Sequence, residues 1–598
     1  MSRALALCLV LMAAAVATPG AQAQTAFLQK SPPARTTIRV SVWSLWRDKE
    51  LTIAPIQNGK AANPQHATAM VRSCTSCAAR PLASLTIRAT PNGVSWTESA
   101  GRVRSAEEPL VSGSYRISAH GESLALSYPL RITAVSGALL LSATLPVERY
   151  VELTVASESG AADSAESLKA LAIVARSFAL APAHGHAEFD VCDSTHCQWV
   201  HWRTTPEAHA ATLDTAGESL WFHGARAQAY FHQNCGGHTA AAVEMWPGRA
   251  KDSHLAPLPY LASRQDKYCT RVSSSSTEWS ATLSRAELTQ ALAASGLATP
   301  GWRTLAVNHR GESGRAVTLL AGSTEMTAED FRLAVGRALG WNRIRSNWFE
   351  IAATSDGFLF HGRGSGHGVG LCQVGAAEMA NEGHGYREIL EQYFPGTVVA
   401  EETTGSPWQS MTGQGFTLET SEATDAVFLP ALTRALGEAE SRSGLAPRQS
   451  IAVRAYRSTP AFRDATLAPG WVAAFTEGDR IAVQPLRVLK ARGLLADLLR
   501  HEFLHALIEE QATAKTPLWL REGLVEAWSG DSPKGRTSSL TIEAMDQKLA
   551  HAASESESEE AHLAAGWYAQ RLLDRFGKDQ VLEWLRSGVS QSALVVLR

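Results

Sequence analysis

The hydrophobic period of this chain changes along its length, and that change limits what it can fold into. From Thr37 to Pro146, apolar and polar residues alternate in short runs, such as TIRVSVWSL, SLTIRAT, YRISA and LRITA, with turn residues between them. A period of two puts every second side chain on one face, so this stretch predicts strands. From residue 416 onward the chain instead reads as helix-rich, with apolar residues recurring at helical spacing. At 598 residues it is also too long for one core. The expected fold class is therefore α+β and multidomain. A strand-rich part spans 38–146, and a mixed α/β part spans 147–399. A polar, unpatterned linker covers 400–415, and a helix-rich domain covers 416–598.

Residues 1–23 read as a secretory signal peptide. Arg3 supplies positive charge, Ala4 to Val16 an apolar core, and Ala21-Gln22-Ala23 a cleavage site. The apolar run is shorter than the roughly 20 residues needed to span a bilayer. The expected product is exported to the periplasm, cell wall or medium, with no transmembrane segment once the signal is cut. A net charge of −3 gives no reason to expect nucleic acid as a partner. Without Cys8, an odd number of cysteines remains, so at least one is free, metal-bound or intermolecular. Cys74 and Cys77 form either a local disulfide or a pair of exposed thiols.

Asp163 with Glu166 looks like a capping box that opens a helix over about 164–180. Beyond it, HGHAEFDVCDSTHCQ gathers His186, Cys192, His196 and Cys197. Thiolates and imidazoles this close suit a tetrahedral zinc ion, although the spacing is not that of a zinc finger. A Cys192–Cys197 disulfide flanked by surface histidines is the competing reading.

Several runs then occur in a fixed order: PVERYVELTVASES, SLKALAIVARSFAL, FDVCDSTHCQ, AYFHQNCGGHTAAAVEMW, YLASRQDKYC and GRGSGHGVGLCQVGAAEMANEGHGYREILEQYFPGT. Together they resemble the stage II sporulation protein D / amidase-enhancer (SpoIID/LytB) family over about 38–399. The resemblance implies lytic transglycosylase action on peptidoglycan glycan strands, with Glu158 as the catalytic residue. It also implies a zinc near the D-S-x-x-H block, held by His186, Cys192, His196 and Cys197, and a plausible Cys235–Cys269 disulfide. Some members are enhancers of a separate amidase, so a non-catalytic, peptidoglycan-binding role with a cell-wall amidase as partner is the alternative.

The run HGRGSGHGVGLCQVG (361–375) lacks the Lys of a phosphate loop. Its alternating glycines permit positive φ and close backbone approach. It reads as a groove wall for a sugar chain, with Gly366 and Gly368 exposing backbone and His367 and Gln373 as polar contacts. Plain turn scaffolding is the other reading.

The second constellation is LLADLLRHEFLHALIEE, an amphipathic helix. His501 and His505, four apart, share one face and can grip one zinc ion, with Glu502 beside them as a general base. Downstream, TPLWLREGLVEAWSG resembles the second ligand helix of gluzincin-type metallopeptidases. That resemblance makes Glu522 the third ligand and Glu526 the carboxylate that holds a ligand histidine. The expected whole is an exported cell-wall lytic transglycosylase fused to a zinc metallopeptidase-like, zincin-like domain, which is inert under the alternative.

Overall fold

Strands form where the alternation predicts them. The computed structural model describes residues 36–597 apart from 57–68, 98–102, 107, 182–185, 248–257, 273–276, 299–300, 469, 531–539 and 552–553. The signal peptide expected at 1–23 lies outside the described residues. Up to Pro146 the chain makes two six-stranded antiparallel sheets. Their inward residues, among them Leu51, Ile53, Ile87, Trp96, Tyr115, Ile117, Ile132 and Leu141, form one core. Cys74 and Cys77 are joined as a disulfide.

The last strand of the first sheet, Ala138–Pro146, runs straight into helix α1, Val147–Glu158. Helix α2, Ala165–Leu180, packs beside it and is buried around most of its circumference. Its N-cap is Ser164, not Asp163: the Ser164 N–H donates to Ser167 Oγ. Asp163 instead accepts the Gly160 N–H, because the turn between the helices brings that donor closer.

Residues 278–363 interrupt this part with a unit of their own. Strand Glu278–Ser284 pairs antiparallel with Gly357–Arg363, so the chain leaves and returns at one point. With Phe349–Ala353 they form one three-stranded sheet; a second three-stranded sheet and two helices lie between them, around a separate core that includes Trp279, Leu319, Phe331 and Phe360. The sequence reading treated 147–399 as one mixed segment and did not see this insertion.

The expected linker is folded. Val398–Glu401 pairs with Glu218–Trp221, and Gln409–Thr412 pairs with Phe416–Thr420. Polar composition does not prevent strand pairing at a sheet edge, where one face stays in water. The last part is also less purely helical than expected. It carries a five-stranded mixed sheet, against which helix α4 (Leu495–Glu509) packs; helix α3, Gln373–Asn381, belongs to the preceding part. Helix α5 is Leu518–Ser529 and helix α6 is Glu555–Phe576. From Glu555 onward, the acidic run near 553–562 forms the first two turns of α6, capped by Ser554, which accepts the Glu557 N–H.

The two modules are docked through a buried charge network. Arg454, from the C-terminal sheet, donates to Glu218 Oε1 at 3.1 Å, Glu419 Oε2 at 2.8 Å and the Ala216 carbonyl at 3.2 Å. Ala216 also packs with Tyr456, Phe462 and Ala482 in a small apolar cluster between the modules.

Candidate active site

Glu158 is the last residue of α1, where a helix leaves its final carbonyls unpaired. The Trp199 N–H donates to Glu158 Oε1 at 2.8 Å, and the His201 N–H donates to Ser157 Oγ at 2.8 Å. The 199–201 segment thus lies across the end of α1. Burial pushes the Glu158 carboxyl up to about 7, and the Trp199 N–H offsets part of that rise. Trp199 itself is 44% exposed and its indole packs on His201. Sequence reasoning missed Trp199; a lone Trp beside a Cys/His cluster carries no motif.

Directly before this segment, His186, Cys192, His196 and Cys197 converge, with ligand atoms within 4.8 Å of one another. His186 Nε2 lies 3.2 Å from Cys197 Sγ, and the two sulfurs lie 2.9 Å apart as free thiols. The Cys192 thiol is pushed down, foremost by its hydrogen bond with Cys197, while that same contact pushes Cys197 up. Two sulfurs and two imidazoles at this range are a donor set that fits a tetrahedral divalent ion. Asp193, inside the same loop, accepts the N–H groups of Trp43 and Ser44 and ties the cluster to the first sheet. Tyr150 on α1 donates to Gln198 Oε1 at 2.8 Å, fixing the loop from the other side.

Gly364, Gly366, Gly368 and Gly370 all have positive φ. Their open faces meet protein. A Cβ at Gly370 would sit 2.2 Å from the Tyr230 carbonyl oxygen, one at Gly368 2.6 Å from the Arg315 guanidinium carbon, and one at Gly366 3.0 Å from His232 Cβ. A side chain would thus collide with backbone at Gly370 and with the Arg315 and His232 side chains at Gly368 and Gly366. His367 accepts the Val369 N–H and packs near Tyr230, His232 and Trp246. Burial lowers its pKa to about 4, so the ring is neutral at physiological pH. Gln373 Nε2 donates to the Glu158 carbonyl at 2.8 Å. Gln373 thus braces the end of α1, and it is the residue of the run that is in contact with Glu158. Cys235 and Cys269, expected as a plausible disulfide, are free thiols, and Cys372 and Asp266 share their pocket.

In the C-terminal module, α4 brings His501 and His505 to one face, with their Nε2 atoms 3.2 Å apart. Glu522 on α5 places Oε2 3.6 Å from His505 Nε2. Glu526 lies 3.6 Å from Nδ1 of His562, on α6, which also lies 3.5 Å from Glu522. Sequence reasoning did not single out His562, since no fixed spacing links it to the other two helices. Glu526 thus faces His562, whereas His501 Nδ1 lies 3.4 Å from Ser529 Oγ. Burial lowers both imidazoles, His505 to about 3. By type, two neutral imidazoles and a carboxylate are donors that a divalent ion takes. Glu502 is buried, accepts the Thr476 hydroxyl, and is pushed up to about 7 by burial. Thr476 lies on the edge strand Ala474–Glu477, antiparallel to its neighbour.

Residues 136–222 match the family model described as stage II sporulation protein (SpoIID), and residues 260–370 match a domain of unknown function. An uncharacterised protein of Brachyspira hyodysenteriae is 29% identical over 262 residues, 43% of this chain and 67% of its own length. Stage II sporulation protein D of Bacillus subtilis is 26% identical over 277 residues, 43% of this chain and 75% of its own. The amidase enhancer of Bacillus subtilis is 21% identical over 298 residues, 41% of this chain and 39% of its own. These matches support the SpoIID family and a cell-wall-associated function for the N-terminal module. Among the described residues, no helix is long and apolar enough to cross a membrane.

Proposed function

We propose that this is an exported cell-wall protein whose N-terminal module cleaves peptidoglycan glycan strands as a lytic transglycosylase. One observation carries the reading: the Glu158 carboxyl is held by the Trp199 N–H and raised to about 7, so it can give and take a proton near neutral pH. Protonated Glu158 donates to the glycosidic oxygen after N-acetylmuramic acid, and the C1–O bond breaks. The same sugar's 6-hydroxyl oxygen closes onto C1, and its proton returns to Glu158. No water is consumed, so a single carboxyl suffices. Gln373 fixes the backbone from which that carboxyl extends. An ion at His186, Cys192, His196 and Cys197 would hold the loop that supplies the Trp199 N–H. The exposed Trp199 indole offers a flat apolar face to a pyranose ring. Trp199→Ala is expected to raise KM for glycan strands several-fold with little change in kcat, read from initial rates.

Incubating the mature protein with strands stripped of stem peptides tests the reading. Fragments ending in 1,6-anhydro-muramic acid are expected. Reducing ends would indicate hydrolysis instead. Retained binding without cleavage would favour the amidase-enhancer role suggested by the relative of that name.

The C-terminal module is read as a zinc metallopeptidase-like domain. His501, His505 and Glu522 would hold the ion, which supplies Lewis acidity toward the scissile carbonyl. Glu502 takes a proton from the attacking water and passes it to the leaving amine. The edge strand 474–477 has backbone groups with which an extended peptide could pair. Glu502→Gln is expected to lower peptide cleavage at least 100-fold while leaving zinc content unchanged, measured with a fluorogenic peptide and metal analysis.

A further inference from the structure

We propose that Cys235, Asp266, Cys269 and Cys372 hold a structural divalent metal ion of the zinc class. Their ligand atoms lie within 4.8 Å of one another, and all four residues are buried. Three separate segments supply them: the turn before His238, the 266–271 turn, and the short strand Leu371–Cys372, parallel to Phe231–His232. Three thiolates and a carboxylate form a tetrahedral set for a thiophilic ion.

Burial pushes the Cys235 and Cys372 thiols up, and backbone N–H groups are directed at both sulfurs. The Gly237 N–H donates to Cys235 Sγ at 3.3 Å, and Cys372 Sγ accepts the N–H groups of Cys235 at 3.2 Å and Gly375 at 3.4 Å. Asp266 Oδ1 accepts the N–H groups of Tyr268 and Cys269, and Oδ2 accepts the Tyr393 hydroxyl at 2.8 Å. Such donors orient ligands and steady their charge. Beside them lies Arg315, wholly buried, donating to the Cys235 and His238 carbonyls. A guanidinium out of water needs a nearby anion. Deprotonated cysteines around an ion supply one, together with Glu244, which is also close enough to act on Arg315.

A disulfide accounts for less of this arrangement. It would consume two thiols and leave a third thiol and a carboxylate in the same buried pocket. Cys74 and Cys77 are bonded, whereas these three are free. The ion would pin the start of α3, whose first residue Gln373 braces Glu158. The site itself stands independently of what Glu158 does.

The test uses the purified full-length mature protein. Wild type is alkylated in mild denaturant with and without a chelator, and labelled peptides are read by mass spectrometry without reduction. Cys235, Cys269 and Cys372 are expected to resist alkylation until the chelator is added, then to react together. Cys372→Ser is expected to lose about one zinc ion per chain relative to wild type. A peptide linking any two of the three cysteines would overturn the proposal. So would thiol reactivity that ignores the chelator, or iron with labile sulfide in place of zinc. The alkylation arm needs no variant, so a misfolded Cys372→Ser leaves it decisive.

Discussion

Replacing Glu158 with Gln is expected to lower cleavage of denuded glycan strands by about 10²–10⁴-fold, the usual worth of a positioned acid–base group. Glutamine keeps the shape and an oxygen for the Trp199 N–H, so strand binding should persist. Only the transferable proton is lost. In wild type the carboxyl must be protonated to start the reaction. Because burial raises it to about 7, kcat/KM should fall as pH rises through that value. Stability gives a separate check. A carboxyl raised in the folded state favours folding below its unfolded pKa, and that contribution is lost as pH rises through about 7. The Gln variant has no charge to bury, so it should unfold at equal or higher denaturant than wild type at pH 8. Full activity in this variant would end the transglycosylase reading.

Replacing Arg176 with Met is expected to destabilise the N-terminal module by about 3–5 kcal/mol, the range for breaking one partner of a buried ion pair. Arg176 is fully buried on α2 and grips Glu148 of α1 with two nitrogens, while its third donates to the Glu218 carbonyl at 2.9 Å. Without it, Glu148 remains buried at 5% exposure, accepting the Gly217 N–H at 3.2 Å but with no cation on it from Arg176. Nearby Glu402 is already pushed up to about 8, by burial and then by Glu148. Losing the guanidinium removes a charge that holds Glu402 down, so Glu402 should rise further. The midpoint of denaturant unfolding, followed by tryptophan fluorescence, measures the loss. Arg176→Met combined with Glu148→Met should recover part of it, because two matched apolar groups leave no orphaned charge. An Arg176→Met midpoint equal to wild type would mean that the pair is solvated.

Much of the site could be read locally. His501 and His505 share a face because four residues make about one helical turn. The strands up to Pro146 follow from a period of two, and Glu158 falls at a helix end within an ordered set of blocks. What was not legible depends on contacts across long stretches of chain. The insertion at 278–363 begins and ends on paired strands that look like any others in sequence. Trp199 matters because its backbone meets a carboxyl on α1, and His562 because α6 packs against α5.

Sequence by itself determined the period-two strands up to Pro146, the helix that follows Asp163 and the i, i+4 histidine pair, all set by interactions within a turn or two. Only the tertiary structure decided which elements meet. It folded the expected linker into two sheets and turned Gln373 from a presumed sugar contact into a brace for Glu158. It also brought Cys235, Asp266, Cys269 and Cys372 into one buried pocket. The reason is that burial and ligand convergence depend on packing between distant segments, and no local pattern of residues encodes that distance.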